Sequence, residues 1–328
     1  MSLRDIVLDA LKNANGGWVS GEMLSESLHV SRTAVWKQIK SLQSDGYEIE
    51  SSPKKGYRIT SLPDLLSPTE ITSGLTTKVW GRSHYLYFPE IDSTNRKARE
   101  LAIQGYPEGT VVVAETQTAG RGRRGRSWYS PAGRGLYLSI ILRPRLPLRE
   151  ISKISLLTAA AVAETLVDEL GLNPQIKWPN DVLVGHKKIA GILSEVSTDM
   201  DSVEYIVLGI GLNLNMDSPE LDQGFRTHAT SAMLECDQPA LRNRILQALL
   251  NRLEKAYYLV LSGHFAEILT KVKKLSTVLG QEVRLDINSG WLEGQAIDID
   301  EAGFLLIRDQ AGVVHTVTSG EICDSSSD

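Results

Sequence analysis

Residues 110–133 read TVVVAETQTAGRGRRGRSWYSPAG and carry the strongest fold signal in the chain. The apolar run 110–114 predicts a strand, and a Gly/Arg-rich run, 120–127, follows it after a short connection. This run formally satisfies G-x-G-x-x-G, and it approximates G-x-x-x-x-G-K-[ST] with Arg126 in place of the lysine. Both motifs require a helix directly afterwards, whereas this chain continues into a Ser/Pro/Gly-containing segment. The context therefore argues against a dinucleotide fold and does not favour a P-loop.

What remains is a loop between strands that wraps a phosphate-bearing ligand. Glycines let backbone amides approach phosphate oxygens, and arginines bring paired donors and permanent charge. Between Thr116 and Arg149 there are eight arginines and no acid, although the net charge of the chain is -5. Because such a run repels itself, a counter-charge is predicted. A solvated surface loop and a disordered RNA-binding segment are the alternatives.

The sequence around this loop predicts an α+β core. Strand-like runs at 84–88, 136–142 and 205–208 interleave with helical runs at 95–103 and 151–170. The length of 328 residues fits two or three domains. The longest uncharged stretch has 12 residues, fewer than the roughly 18 that a membrane span needs. With only two cysteines and no visible leader, we expect a cytoplasmic protein without a membrane partner and with a frayed tail at 324–328.

Residues 1–62 combine three short helices with a two-stranded ribbon. Apolar residues recur at helical spacing in 3–14, a second helix begins after Ser20, and a third runs from Ser31 to Gln43. The alternation at 47–50 and the turn at 52–56 predict a hairpin with a basic tip. This order predicts a winged helix-turn-helix.

One face of this module is polar and basic, which favours DNA binding. A helix fits the major groove, and a basic wing tip meets phosphates or the adjacent minor groove. Protein docking is the alternative function of such a module. The residues predicted to face DNA are Ser31, Arg32, Thr33, Trp36, Lys37, Lys40, Lys54 and Lys55.

A second polar constellation lies at 177–181, Lys-Trp-Pro-Asn-Asp. A positioned lysine such as Lys177 can stabilise an oxyanion. Asn180, Asp181 and Asn213 offer hard oxygen ligands for Mg²⁺ beside substrate phosphates, although a cap or turn role is the alternative for each. The motifs G-x-S-x-G and H-E-x-x-H are absent from the sequence, so no covalent nucleophile is predicted. The chemistry is expected to rest on positioning and charge.

Four segments together closely resemble the biotin protein ligases. They are Asp92-Ser93-Thr94-Asn95, the run 117–126, the segment 177–181 and Lys-Ile-Ala-Gly-Ile-Leu at 188–193. With its winged helix, the chain resembles the bifunctional class that also represses genes of biotin biosynthesis and transport. The resemblance implies an α+β protein of three domains. They are a winged helix-turn-helix DNA-binding domain at 1–62, a synthetase-like α/β catalytic domain at 63–272 and a small SH3-like β-barrel at 273–328.

The resemblance implies a two-step reaction with ATP, biotin and Mg²⁺, and no tightly bound prosthetic group. The biotin carboxylate attacks the α-phosphate to give biotinyl-5′-adenylate, and a lysine of a biotin carboxyl carrier protein domain then attacks the mixed anhydride. Lys177 and Arg121 are expected to bridge carboxylate and α-phosphate, while Ser93 and Thr94 meet the ureido group. The other implied biotin and adenylate contacts are Asn95, Gln117, Gly120, Gly122, Arg123 and Gly191. The implied ATP loop comprises Arg124, Gly125, Arg126, Asn180 and Asn213, and Asp181 is the implied metal ligand.

The resemblance also implies regulation by the reaction intermediate. Bound adenylate would act as corepressor, ordering loops that build a homodimer able to span a two-fold operator in DNA. The resemblance fades between Met216 and Glu235, where Phe225 is suggested as an apolar wall of the adenine pocket. Two alternative functions are a repressor that senses a nucleotide-like effector without turnover and a lipoate-type protein ligase. The intact Lys177 favours a ligase over a sensor.

Overall fold

The computed structural model describes residues 3–14, 16–44, 46–61, 63–199, 202–224, 229–287 and 290–323. The chain divides into two compact units, Met1–Leu65 and Leu66–Asp328. Among the residues so described, no helix is long and apolar enough to cross a membrane. The predicted tail, 324–328, lies outside the described residues.

The first unit is a three-helix module followed by a hairpin. Helices α1 (Leu3–Asn13), α2 (Gly21–Ser27) and α3 (Arg32–Ser44) precede the antiparallel strands β1 (Glu48–Ser52) and β2 (Gly56–Ser61). The Ser20 side chain caps α2, and Ser31 Oγ accepts from the amide of Ala34 at 3.1 Å. The predicted winged helix-turn-helix is confirmed. Its core is built from Val7, Leu8, Leu11, Val35, Ile39 and Leu42.

A seven-stranded mixed sheet forms the centre of the second unit, in the order β3-β4-β5-β9-β8-β7-β6. Strands β3 and β4 are parallel, and the other neighbouring pairs are antiparallel. The apolar strand β5 is buried along its whole length because it lies inside the sheet with helices on both faces. The strands are β3 (Tyr85–Ile91), β4 (Val111–Gln117), β5 (Gly135–Leu142), β6 (Pro174–Lys177), β7 (Asp181–Val184), β8 (Lys187–Asp199) and β9 (Ser202–Asn213).

Helices cover both faces of this sheet. Helix α5 packs Ala98 and Leu101 on one face, and α6, α9 and α10 bury their apolar residues against the other face. The pattern of apolar residues predicts α5 and α6, whereas α9 is a helix of 20 residues that was not predicted. The helices are α4 (Pro68–Ser73), α5 (Thr94–Ile103), α6 (Ser152–Leu170), α7 (Ser218–Gly224), α8 (Ala232–Cys236), α9 (Arg242–Leu261) and α10 (Phe265–Leu275).

The second unit ends in a five-stranded antiparallel sheet, in the order β13-β12-β11-β10-β14. Its apolar residues, such as Leu285 and Ile307, belong to the same hydrophobic core as α6, and Trp178 Nε1 donates to the carbonyl of Gly303 at 3.1 Å. The predicted α+β architecture with a small C-terminal β region is confirmed. The strands are β10 (Glu282–Ile287), β11 (Gly290–Ile299), β12 (Leu305–Arg308), β13 (Val314–Val317) and β14 (Glu321–Cys323).

Candidate active site

Four of the residues predicted to contact biotin or the adenylate gather where α5 begins. Ser93 caps α5, and the amide and hydroxyl of Thr94 contact Oε1 of Gln117 at 2.8 Å and 3.1 Å. Asn95 follows in the first turn of α5, and Ser93, Thr94 and Asn95 are all buried. Because β3 and β4 are parallel, the turn that follows β3 meets the end of β4 at one edge of the sheet. The structure thus brings these four side chains together.

The Gly/Arg loop leaves β4 and folds back on itself. The Gly122 amide donates to the Arg126 carbonyl at 2.7 Å, and the Trp128 amide donates to the Gly120 carbonyl at 2.9 Å. A Cβ atom on Gly120 would lie 2.9 Å from Ser130 Oγ, so a side chain there would displace a neighbour. Glycine at this position lets the end of the loop close on its beginning.

Part of the predicted counter-charge comes from the chain itself. Arg124 forms ion pairs with Asp286 of β10 and with Glu321 of β14, the latter at 3.6 Å. Arg126 Nη1 lies 2.5 Å from Glu321 Oε1. These pairs are partly exposed, so each contributes only about 0–1 kcal/mol.

Arg123 turns towards the segment 177–181 instead. Its Nη1 donates to Asn180 Oδ1 at 2.7 Å and to the Gly320 carbonyl at 3.3 Å. Burial lowers the pKa of Arg123, and the nearby carboxylate of Asp181 opposes this effect. Lys177 lies opposite Asp181 in the β6–β7 register. The loop and the second predicted constellation therefore meet through Arg123.

Trp128 lies against β8 and β9, where Gly191 and Gly211 stand opposite each other in register. A Cβ on either glycine would lie 2.8 Å or less from a ring atom of Trp128, so both positions require glycine. The indole of Trp128 fills the position that side chains at Gly191 and Gly211 would otherwise take, and we call this position the tryptophan slot. The Nζ atom of Lys188 lies 5.4 Å from the Trp128 ring centroid and 2.7 Å from Asp181 Oδ1. Lys188 is therefore a second lysine, after Lys177, beside the predicted site.

Sequence reasoning assigned no role to Lys188 or Trp128. Lys188 stands three residues before Gly191 in the quoted 188–193 motif, and Trp128 follows the Gly/Arg run directly. Both signals are in the sequence, and Lys188 reaches Asp181 through the short β7–β8 hairpin, whose turn lies between Val184 and Lys187.

A cavity of about 450 Å³ opens between the Gly/Arg loop, 121–126, and Leu193 and Glu195 of β8.

Asn213, at the end of β9, is fully buried and donates from Nδ2 to the Thr230 carbonyl at 3.1 Å. Its Oδ1 has no hydrogen-bond partner among the described residues, so it can accept from a ligand. Phe225 lies outside the described residues. Within the described ranges, no group of three His, Cys, Asp or Glu side chains could hold a metal ion.

The predicted DNA-facing residues are exposed on α3 and on the wing of the first unit. Trp36 is 48% exposed, with Lys40 Nζ 6.0 Å from its ring centroid. Arg32 is paired with Glu22, which offsets part of the basic charge of this face. At the wing, Lys55 Nζ lies 5.7 Å from the Trp18 ring. The arrangement presents a helix and a wing that carry cations and an aromatic ring.

Three family models match consecutive parts of the chain. An HTH domain model matches residues 4–58, the Biotin/lipoate A/B protein ligase family model matches 87–213, and the Biotin protein ligase C terminal domain model matches 278–323. The bifunctional ligase/repressor BirA of Bacillus spizizenii is 38% identical over 95% of this chain and 96% of its own length. The chain belongs to the family of bifunctional ligase/repressors. The predicted family is confirmed.

Other members of the BirA family align with similar completeness. The bifunctional ligase/repressor of Escherichia coli is 34% identical over 94% of both chains. Among solved structures, the biotin protein ligase of Aquifex aeolicus in complex with biotin and ATP matches with a TM-score of 0.63 and 30% identity. That match covers 74% of this chain and 98% of the Aquifex chain. The fold of the second unit is thus the fold of a biotin protein ligase.

Proposed function

We propose that the second unit activates biotin with ATP and joins it to a lysine of a biotin carboxyl carrier protein, while the first unit binds operator DNA. One observation carries the ligase assignment. The Gly/Arg loop, Lys188 and the polar start of α5 meet around one site in a chain that aligns with bifunctional ligase/repressors over nearly its whole length.

The first step joins two anions, so the site must supply positive charge. An oxygen of the biotin carboxylate forms a bond to the α-phosphorus of ATP, and the bond to pyrophosphate breaks. Lys188, Arg121 and Arg123 stabilise the charge that develops on the α-phosphate oxygens, with Lys177 nearby on β6. The free Oδ1 of Asn213 is the acceptor for a donor group of the adenine. No enzyme nucleophile is needed, because alignment and charge lower the barrier.

We assign Mg²⁺ to the ATP side of this site. Mg²⁺ usually takes one or two carboxylates together with substrate phosphates and water. The Asp181 carboxylate accepts from Lys188 at 2.7 Å and from Asn180 Nδ2 at 3.0 Å, so one carboxylate stands beside the cationic residues. This fits a Mg²⁺ ion that arrives with ATP and neutralises phosphate charge when bound.

The second step consumes the mixed anhydride. The neutral amine of the acceptor lysine attacks the anhydride carbonyl carbon, an amide forms, AMP leaves with the electron pair, and the amine loses a proton. Until then the anhydride must be kept from water. The Gly/Arg loop provides this cover, because Arg124 and Arg126 can exchange Asp286 and Glu321 for the nucleotide phosphate.

Repression uses the same intermediate as its signal. The adenylate orders the loops of the second unit, two copies associate, and the paired α3 helices and wings bind a two-fold operator. The exposed cations of α3 and the wing support phosphate contact and groove binding.

Two parallel experiments test the ligase function and the DNA binding. Purified protein is incubated with labelled biotin, Mg-ATP and a carrier domain, and label on the carrier lysine is measured. In parallel, a genomic DNA library is selected with the adenylate-bound protein. Label on the carrier and adenylate-dependent DNA retention support the proposal. DNA retention with ATP but without label transfer would favour the effector-sensing repressor, and transfer of lipoate instead of biotin would favour the lipoate-type ligase.

A further inference from the structure

One large aromatic side chain lies exposed on the helix that is predicted to face DNA. Trp36 is the fifth residue of α3 and is 48% exposed, whereas Val35 and Ile39 of the same helix are buried. The indole lies outside the hydrophobic core of the first unit. Trp36 therefore does not serve the packing of this unit, and its apolar surface is available to a partner.

The charges around Trp36 fit nucleic acid as that partner. Helix α3 contains Arg32, Lys37 and Lys40 but no Asp or Glu. Arg32 pairs with Glu22 of α2, whereas Lys40 Nζ lies 6.0 Å from the centroid of the indole. The ring and the two lysines are exposed on the same helix. Phosphates neutralise such lysines, whereas an apolar protein surface would have to bury their charge.

The major groove offers an indole only one apolar partner. A recognition helix places the residues of its first turns against the base edges. Those edges carry hydrogen-bond donors and acceptors, and the one apolar group among them is the C5-methyl group of thymine. The indole has a single polar group, its Nε1–H donor, and the rest of its surface is apolar. Contact with a thymine methyl group therefore removes apolar surface of both partners from water.

We propose that Trp36 reads thymine, by packing its indole against the C5-methyl group of one thymine in each half-site of the operator. The inference rests on the proposed DNA binding of the first unit and adds the base that α3 recognises. Lys37 and Lys40 contact phosphates, which fixes the helix in the groove but carries no sequence information. The methyl group is then the source of the preference.

Replacement of thymine by deoxyuridine tests this contact, because it removes the methyl group and leaves the hydrogen-bonding groups of the base unchanged. The operator is first selected from a genomic DNA library with the full-length wild-type protein in the presence of biotin and Mg-ATP. Each thymine of the selected duplex is then replaced in turn, and Kd is measured at one fixed salt concentration. We expect one position in each half-site at which deoxyuridine raises Kd about fourfold, the value for burial of one methyl group.

Two substitutions of Trp36 assign the effect to the indole. In Trp36→Ala, duplexes with thymine and with deoxyuridine at these positions should bind equally. In Trp36→Phe the preference should fall to about twofold, because the smaller ring covers less of the methyl group. The salt dependence of Kd should stay the same in both variants, because the indole carries no charge. Since Trp36 is exposed, an unaltered Tm of the first unit is the expected check of folding.

Two other side chains of the first unit supply matched controls. Met23→Ala removes an apolar side chain of α2 that is 55% exposed, and the preference for thymine should keep its wild-type value. Lys37→Ala should raise Kd for the thymine and deoxyuridine duplexes by the same factor, and it should make the slope of log K against log salt shallower. These controls separate a methyl contact from a general loss of apolar surface or charge.

A selected operator in which no methyl group affects Kd would overturn the inference. So would a preference for thymine that persists in Trp36→Ala, because another side chain would then read the methyl group. Weaker binding by Trp36→Phe with the full effect of deoxyuridine retained would assign the contact to Nε1–H and would also count against it. If the wild type selected no DNA, the proposed DNA binding itself would fail, which differs from a bound operator that is indifferent to its methyl groups.

Discussion

Gly211→Ala tests the tryptophan slot, and its effect can be worked out from the structure. The added Cβ would lie 2.8 Å from Cζ2 of Trp128 and closer still to Cε2 and Nε1, against about 3.5–4.0 Å for an ordinary contact. The glycine lies on β9, which is flanked by β5 and β8, so the backbone has little room to yield. The indole must therefore move away from the sheet.

Two limits bracket the cost. If the sheet and the ring share the strain, overpacking costs about 1–3 kcal/mol. If the indole leaves, about 150–250 Å² of buried surface is lost, which at ~25 cal/mol per Å² is about 4–6 kcal/mol. We expect a value near 4 kcal/mol, because Gly191 restricts the ring on the neighbouring strand as well. Adenylate formation should fall about 100-fold, because Lys188 loses the ring beneath it.

Urea unfolding of the second unit and initial rates of adenylate formation measure these effects. The double variant Gly211→Ala/Trp128→Leu supplies the control, because a smaller side chain removes the clash. In the Trp128→Leu background, Gly211→Ala should cost less than about 1 kcal/mol. The difference from its cost with Trp128 present measures the coupling between the two residues. A cost below about 0.5 kcal/mol for Gly211→Ala with Trp128 present, together with normal activity, would refute the slot.

Three further predictions concern charged residues. Lys188→Ala should lower kcat/KM for adenylate formation by about 100- to 1000-fold without a change in Tm, whereas the exposed neighbour variant Lys187→Ala should stay near wild type in the same assay. Lys54→Ala and Lys55→Ala should each make the slope of log K for DNA against log salt shallower by about 1, and an unchanged slope would remove the wing from the DNA interface. Glu321→Gln should change stability by less than about 1 kcal/mol but speed hydrogen exchange of the amides in 122–126, and unchanged exchange would mean that Arg126 does not depend on this pair.

Helix starts and helix spans could be predicted from neighbouring residues alone. Ser20 and Ser31 cap helices at the positions where the sequence places them, and the apolar periodicity of α6 matches its observed span closely. Helix α9 was not predicted, although its apolar residues recur at helical spacing. They are Ile245, Leu246, Leu249, Leu250 and Leu253, and all are buried. The sequence therefore carries the signal for α9.

Long-range contacts set the real limit. The self-repelling Gly/Arg run predicted a counter-charge, but no local pattern shows that Asp286 and Glu321 provide part of it, because strand pairing in the C-terminal sheet brings them to the loop. Lys188 differs from these residues, because it reaches Asp181 within the short β7–β8 hairpin. Residue types and motifs identified the chemistry, whereas the partners of Arg124 and Arg126 required the fold.

The most direct measurement is incubation of the purified protein with biotin, Mg²⁺ and α-labelled ATP, with lipoate in a parallel reaction. The account predicts labelled biotinyl-adenylate and an equal amount of pyrophosphate with biotin, little product with lipoate, and loss of the product in Lys188→Ala. Folded wild-type protein that formed no adenylate with either acid would contradict it.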